Sequence, residues 1–158
     1  MIKIYDNFFD EVTHIKIWDY CNKVSYKIGE KDHKKSLPTG GIFSISNKSK
    51  LFSLLDKNLV DKFEQLKNLK CYRAYINFFS FNENPYFHQD NNIGYTCLFY
   101  PNIDFELNEG GETQFLINNE IRGILPIPNR MILFDAKIDH KATSFRSRHR
   151  FTLAIKYQ

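Results

Sequence analysis

The sequence is poor in the residues that most often staple or mark a small protein. Its three cysteines, Cys21, Cys71 and Cys97, are odd in number and widely spaced, with no Cys-x-x-Cys pair. That removes the usual signal for a zinc site or redox motif and reads as reduced thiols in a cytosolic protein. No stretch approaches the roughly 20 apolar residues of a membrane span. The opening residues, MIKIYDNFFDEV, carry acidic charge where a secretory signal is apolar. Charge of one sign is scarce as well: 22 Lys and Arg against 18 Asp and Glu leave +4, too little to imply a polyanion partner. Internal repeats, low-complexity tracts and linkers are missing. What the chain does have is 42% hydrophobic and 16% aromatic residues, with 15 Phe and 9 Tyr. This composition lies well clear of disorder, and 158 residues suffice for a core without staples. The expectation is one cytoplasmic domain spanning residues 1–158, with no membrane segment.

Hydrophobic periodicity divides the chain in two. Ile2-Lys3-Ile4-Tyr5 alternates as a short strand, and Phe9 to Val24 carries apolar residues at helical spacing. A loop rich in Lys, Gly and Pro runs from Gly29 to Gly41. A second amphipathic helix is expected over Leu51 to Leu69, with Leu51, Leu54, Leu55, Val60 and Phe63 on one side. Beyond Leu69 short β-rich runs take over: Cys71 to Phe81, Gly94 to Tyr100, Glu112 to Leu116, Arg122 to Ile124, Arg130 to Phe134 and Arg150 to Tyr157. Turn residues such as Asn82-Glu83-Asn84-Pro85 and Asn108-Glu109-Gly110-Gly111 separate them. The fold class expected is mainly β with N-terminal helices. Residues 1–69 form a mostly helical support, and residues 70–158 form a double-stranded β-helix, the jelly roll.

The chemistry gathers in the β half. In Tyr86-Phe87-His88-Gln89-Asp90, alternation along an extended chain points the His88 imidazole and the Asp90 carboxylate at one spot. A lone His-x-Asp arises by chance, and by itself reads as a buried histidine bonded to a neighbouring aspartate. A third ligand follows the apolar strand Met131-Ile132-Leu133-Phe134, at His140. Two imidazoles and one carboxylate on one side of a metal leave open positions opposite, as a non-haem Fe(II) oxygenase requires. Arg150 lies ten residues beyond His140 and opens the last strand. There it shares a face with Thr152 and Ala154, and its planar fork of donors suits the far end of a dicarboxylate.

These residues resemble the 2-oxoglutarate/Fe(II)-dependent dioxygenases, in particular the prolyl-hydroxylase-like branch. The resemblance covers residues 72 to 157. It runs through His88-Gln89-Asp90, Leu98-Phe99-Tyr100-Pro101-Asn102, Gly110-Gly111-Glu112-Thr113-Gln114-Phe115 and Pro126 to Phe134, then to His140 and Arg150-Phe151-Thr152. It implies that His88, Asp90 and His140 bind Fe(II) and are catalytic. It also implies that Arg150 clasps the C5 carboxylate of 2-oxoglutarate, with Tyr100 the nearest match to a helping strand tyrosine and Thr152 assisting. Tyr75 and Tyr86 compete with Tyr100 for that contact. Two positions depart from the pattern: Phe79 stands where relatives often have tyrosine, and Ile138 where they often have an aromatic residue.

The implied reaction takes 2-oxoglutarate and molecular oxygen as co-substrates, with ascorbate as a stimulant, and hydroxylates an unactivated C–H bond. A prolyl residue in a protein or peptide is the first candidate substrate. A free amino acid or small metabolite is the alternative, since the Gly29 to Gly41 loop that helps choose carries no readable code. A cupin-like metal-binding module without turnover is the competing class. Nucleic acid is disfavoured, because Lys156 stands where the demethylase branch typically has a second arginine. Gly110 and Gly111 are backbone devices. His14 and His33 read as surface residues, and His149 alternates away from Arg150. Lys137, Lys141, Arg146, Arg148 and Lys156 read as a solvated rim.

Overall fold

The computed structural model describes residues 1–29, 31 and 36–158. Capping residues set the starts of the two helices. The Asp10 carboxylate accepts from the Thr13 N–H at the head of α1 (Glu11–Lys23), and the Ser49 hydroxyl accepts from the Phe52 N–H at the head of α2 (Lys50–Lys62). Buried positions fall on one face of each helix: His14, Ile17 and Cys21 in α1, Leu55 and Leu59 in α2. The second helix ends sooner than its apolar spacing suggests. Phe63 leaves helical geometry at φ −115° and ψ 105°, and a single 3-10 turn follows over Glu64–Leu66. Phe63 and Leu66 are nonetheless buried, so the apolar pattern continues through a tighter backbone.

The strands are β1 (Ile2–Tyr5), β2 (Lys27–Ile28), β3 (Gly41–Ser44), β4 (Cys71–Phe79), β5 (Tyr95–Tyr100), β6 (Thr113–Ile117), β7 (Glu120–Ile124), β8 (Arg130–Asp135), β9 (His140–Ala142) and β10 (Arg150–Tyr157). They form a seven-stranded sheet in the order β1-β8-β5-β10-β4-β3-β2 and a three-stranded sheet in the order β7-β6-β9. Paired neighbours run antiparallel. This is the expected jelly roll with two supporting helices. Three short strands, β2, β3 and β9, were not expected. They have two to four residues, too few to reveal a period, and exist because longer partners pair with them, as Ile42 does with Asn77. Asn118 and Asn119, at φ 52° and 62°, make the two-residue turn that joins β6 to β7.

Alternation on the large sheet creates two separate interiors. Ala74, Ile76, Cys97, Phe99, Met131, Leu133, Phe151, Leu153, Ile155 and Tyr157 meet the helices through Ile17, Cys21, Leu55, Leu59 and Phe63. The intervening residues, including Tyr75, Leu98, Tyr100, Ile132, Phe134 and Ala154, turn toward Phe115 of the small sheet. Strand β10 lies between β4 and β5 and is buried along its whole length. Whatever its second face carries is therefore placed between the sheets.

Candidate metal centre and anion pocket

His88 and Asp90 lie just outside the named strands, yet the backbone holds them in register. His88 and His140 exchange two backbone hydrogen bonds of 3.0 Å as an antiparallel bridge, and the Asp90 N–H donates to Ala136 O at 2.9 Å. The result gathers one ligand atom each from His88, Asp90 and His140 within 4.8 Å of one another. Each imidazole has its Nδ1 against the carbonyl two residues earlier, His88 on Tyr86 O at 3.1 Å and His140 on Ile138 O at 2.8 Å. A nitrogen facing a carbonyl carries the proton, which leaves Nε2 as the donor atom for a metal. Those Nε2 atoms stand 3.7 and 3.6 Å from the two oxygens of Asp90. Burial pushes His140 down to about 4, against the opposing pull of Asp90, so its ring is neutral at neutral pH. The three groups offer a divalent metal two imidazoles and one carboxylate, with the cavity beyond.

Asp90 is anchored on both oxygens. Thr96 Oγ1 donates to Oδ2 and Lys156 Nζ to Oδ1, each at 2.5 Å. The side chains of the ion pair are 2% and 7% exposed. Burial opposes both charges. His140, Lys156 and the hydrogen bonds nevertheless hold Asp90 below the ordinary carboxylate value, while Tyr75 and Asp90 hold Lys156 above the ordinary lysine value. Lys156 was expected on a solvated rim and is instead buried in the wall of this site. Position 156 alternates with 150, 152 and 154, and the central place of β10 in the large sheet, which only the structure shows, covers that face.

Arg150 is 0% exposed. Its Nε donates to Gly111 O at 2.7 Å and its Nη2 to Thr113 Oγ1 at 3.0 Å, whereas Nη1 is buried with no partner. The Gly111 carbonyl is available because only glycine tolerates this place: φ is +78°, and a Cβ would come within 2.4 Å of the Phe145 ring. Tyr100 is also 0% exposed, and its hydroxyl donates to Thr113 at 2.6 Å. A cavity of about 150 Å³ takes in the triad, Arg150, Thr113, Thr152, Lys156 and Tyr75. Tyr100 stands behind Thr113, outside that wall, and Tyr86 is 43% exposed and does not line the cavity. Sequence reasoning missed Thr96 and Thr113. Thr96 acts on Asp90, outside the named strands, and Thr113 on Arg150 of β10, so immediate neighbours reveal neither role.

His14 is buried on the inner face of α1, with Nε2 2.9 Å from Pro101 O and its ring edge-on to Phe99, so it is structural and not a surface residue. His33 lies outside the described residues. His149 packs on Phe78, away from Arg150, as alternation requires. Lys137 and Arg146 are exposed, Lys141 is partly buried, and Arg148 pairs with Asp104 and rests over Phe145. All three cysteines are free. Among the described residues no helix is long and apolar enough to cross a membrane.

No protein-family model matches the sequence, and no curated protein does. The fold has clear counterparts. A prolyl-4-hydroxylase of Pseudomonas putida superposes with a TM-score of 0.82 at 11% identity, covering 99% of this chain and 92% of that one. A Trichoplax adhaerens prolyl hydroxylase, solved with a hypoxia-inducible-factor peptide, gives 0.73 at 17% identity over 99% and 82%. HygX of Streptomyces hygroscopicus, solved with nickel and 2-oxoglutarate, gives 0.77 at 11% over 99% and 82%. At such identities the likeness establishes the fold, which is that of the 2-oxoglutarate/Fe(II) oxygenases in their prolyl-hydroxylase-like form.

Proposed function

We propose that the protein is an Fe(II)- and 2-oxoglutarate-dependent oxygenase in which His88, Asp90 and His140 hold iron and Arg150 holds the C5 carboxylate of 2-oxoglutarate. The observation that carries this reading is the unpartnered Nη1 of a wholly buried arginine on the wall of the triad's own cavity. A buried guanidinium costs several kcal/mol unless its donors are met. An anion that reaches the triad at its other end meets them. Bound Fe(II) supplies the oxygen activation that couples decarboxylation of 2-oxoglutarate, giving succinate and carbon dioxide, to hydroxylation of a substrate C–H bond.

The protein's own contribution is placement. The two backbone-bound imidazoles present Nε2, Lys156 and Thr96 fix the carboxylate, and Leu98 and Ala154 line the cavity with apolar surface. Thr152, on the same wall, is a further contact for the co-substrate, and the whole chain serves as one such domain. The prolyl hydroxylases of like fold support a prolyl residue in a peptide as the substrate. A HygX structure that also holds hygromycin B, at a TM-score of 0.78, supports a small-molecule alternative.

The test combines turnover with binding. With Fe(II), 2-oxoglutarate and ascorbate, the wild type releases carbon dioxide and succinate when offered its substrate from a panel of proline-containing peptides, amino acids and small metabolites. Arg150→Ala keeps its iron but binds 2-oxoglutarate about 30- to 1000-fold more weakly, through loss of a charge-assisted contact. Arg150→Lys recovers part, since an ammonium restores charge without the planar fork. A wild type that binds no 2-oxoglutarate refutes the assignment. One that binds it yet never releases carbon dioxide is a metal-binding module.

A further inference from the structure

The cavity has a closed end and an open one. Antiparallel pairing of β4 with β10 sets Phe79 opposite Arg150, Asn77 opposite Thr152, Tyr75 opposite Ala154 and Arg73 opposite Lys156, and all eight residues line it. Arg150 and Phe79 are buried at one end. Toward the other, Arg73, Lys31 and Gln89 are exposed, so a substrate enters past them. That entrance is cationic. Like charges directly opposite in a sheet repel, yet Arg73 and Lys156 stand so, and the one Tyr75 ring carries both, the guanidinium 4.4 Å and the ammonium 5.0 Å from its centroid. Asp90 offsets Lys156. It is the one acid among the described residues that line the cavity, against the cations Lys31, Arg73, Arg150 and Lys156. A divalent metal and the dianion of 2-oxoglutarate cancel each other, so the loaded cavity keeps its positive excess.

We propose that the substrate is a small carboxylic acid, its carboxylate held at the entrance by Arg73 and Lys31 while the carbon to be hydroxylated reaches the triad. This rests on the reading of the cavity as an Fe(II)- and 2-oxoglutarate-dependent site, and it takes the small-molecule side of the two candidate substrates. The planar fork of Arg73 suits a carboxylate. One tyrosine ring separates that fork from the ammonium paired with Asp90, so the anionic group and the reacting carbon fit within one short molecule. A prolyl residue inside a peptide has no carboxylate there, because its carbonyl is an amide. The same excess of charge repels cationic substrates and speeds the approach of anions.

The experiment titrates the full chain, loaded with Mn(II) and saturating 2-oxoglutarate, with a panel of free amino acids and short carboxylic acids, each beside its own carboxamide, and with capped proline peptides. Calorimetry reads the binding. The wild type binds at least one acid, and binds the matching carboxamide about 10- to 100-fold more weakly through loss of a charge-assisted hydrogen bond. Its affinity for the acid falls as salt rises. Arg73→Met weakens the acid by a similar factor of about 10 to 100 and leaves the carboxamide, 2-oxoglutarate and Mn(II) unaffected. Arg73→Lys recovers part of the loss, since charge returns without the fork. With Fe(II) in place of Mn(II), the acid that binds stimulates succinate release by the wild type. Where Arg73→Met fails to fold, the acid and carboxamide pair on the wild type still decides. Equal affinity for acid and carboxamide, binding of capped peptides alone, or no acid bound at all overturns the proposal. So does an acid that binds and never stimulates succinate release, which is an inhibitor. A wild type that binds no 2-oxoglutarate fails at the earlier step, as the assignment of the cavity itself.

Discussion

Along β10, Phe151, Leu153, Ile155 and Tyr157 meet the helices, while Arg150, Thr152, Ala154 and Lys156 meet the cavity, and all eight residues are buried. Burial therefore does not separate core from site. The two faces differ in how their atoms are satisfied. On the helix side close packing completes nearly every atom, and the Tyr157 hydroxyl, which donates to Asp56, is the polar exception. On the cavity side each polar atom needs a named partner. Lys156 has one in Asp90, whereas Arg150 keeps a nitrogen over. The leftover donor, at one end of a face whose other end is fully paired, separates a binding position from a structural one.

The comparison breaks most severely at the metal. His88→Ala, Asp90→Ala and His140→Ala are each expected to abolish turnover and iron binding together while the far-ultraviolet spectrum stays native, because the helix-side core is untouched. Full activity with bound iron in any one of them removes that residue from the triad. Next comes Lys156→Met. In the metal-free protein it leaves Asp90 buried without its cation, a loss of about 3 to 5 kcal/mol in denaturant unfolding. Saturating metal should return much of that, since the ion replaces the ammonium. Equal losses with and without metal contradict the link between Lys156 and the site.

On the opposite face, Leu153→Ala is expected to cost about 2 to 5 kcal/mol through the cavity it leaves. Its folded fraction should bind 2-oxoglutarate with wild-type affinity. A large change in that affinity means the two faces are not independent. The last effect is that of pH on the metal-free protein. Burial places His140 at about 4 when folded, against about 6.5 in an unfolded chain. Below about pH 6.5 the unfolded state takes up a proton that the folded state refuses. Stability is therefore full above that pH, declines as pH falls toward about 4, and levels off once both states are protonated. His140→Gln should flatten this slope and Leu153→Ala should preserve it, as read from unfolding midpoints across the window.

Much of this was written in local order. Apolar spacing locates α1 and α2, period-two runs locate the long strands, and His88-x-Asp90, His140 and Arg150 carry their chemistry in residue type and spacing. These features are legible because each depends on neighbours a few positions away. The short strands β2, β3 and β9 were not legible, since their partners define them. Nor was the burial of His14, which depends on Pro101, 87 residues on. The site's finer parts are of the same kind. Lys156 reaches Asp90 across 66 residues, Arg150 reaches Thr113 across 37, and Tyr100 reaches Thr113 across 13. Alternation states which face a side chain takes, but only the closing of one sheet over another decides whether that face meets water or an aspartate. The sequence by itself determined the candidate ligands and their order. The tertiary structure decided which hydroxyls and cations complete them, because hydrogen-bond partners are chosen by proximity in space and not by distance along the chain.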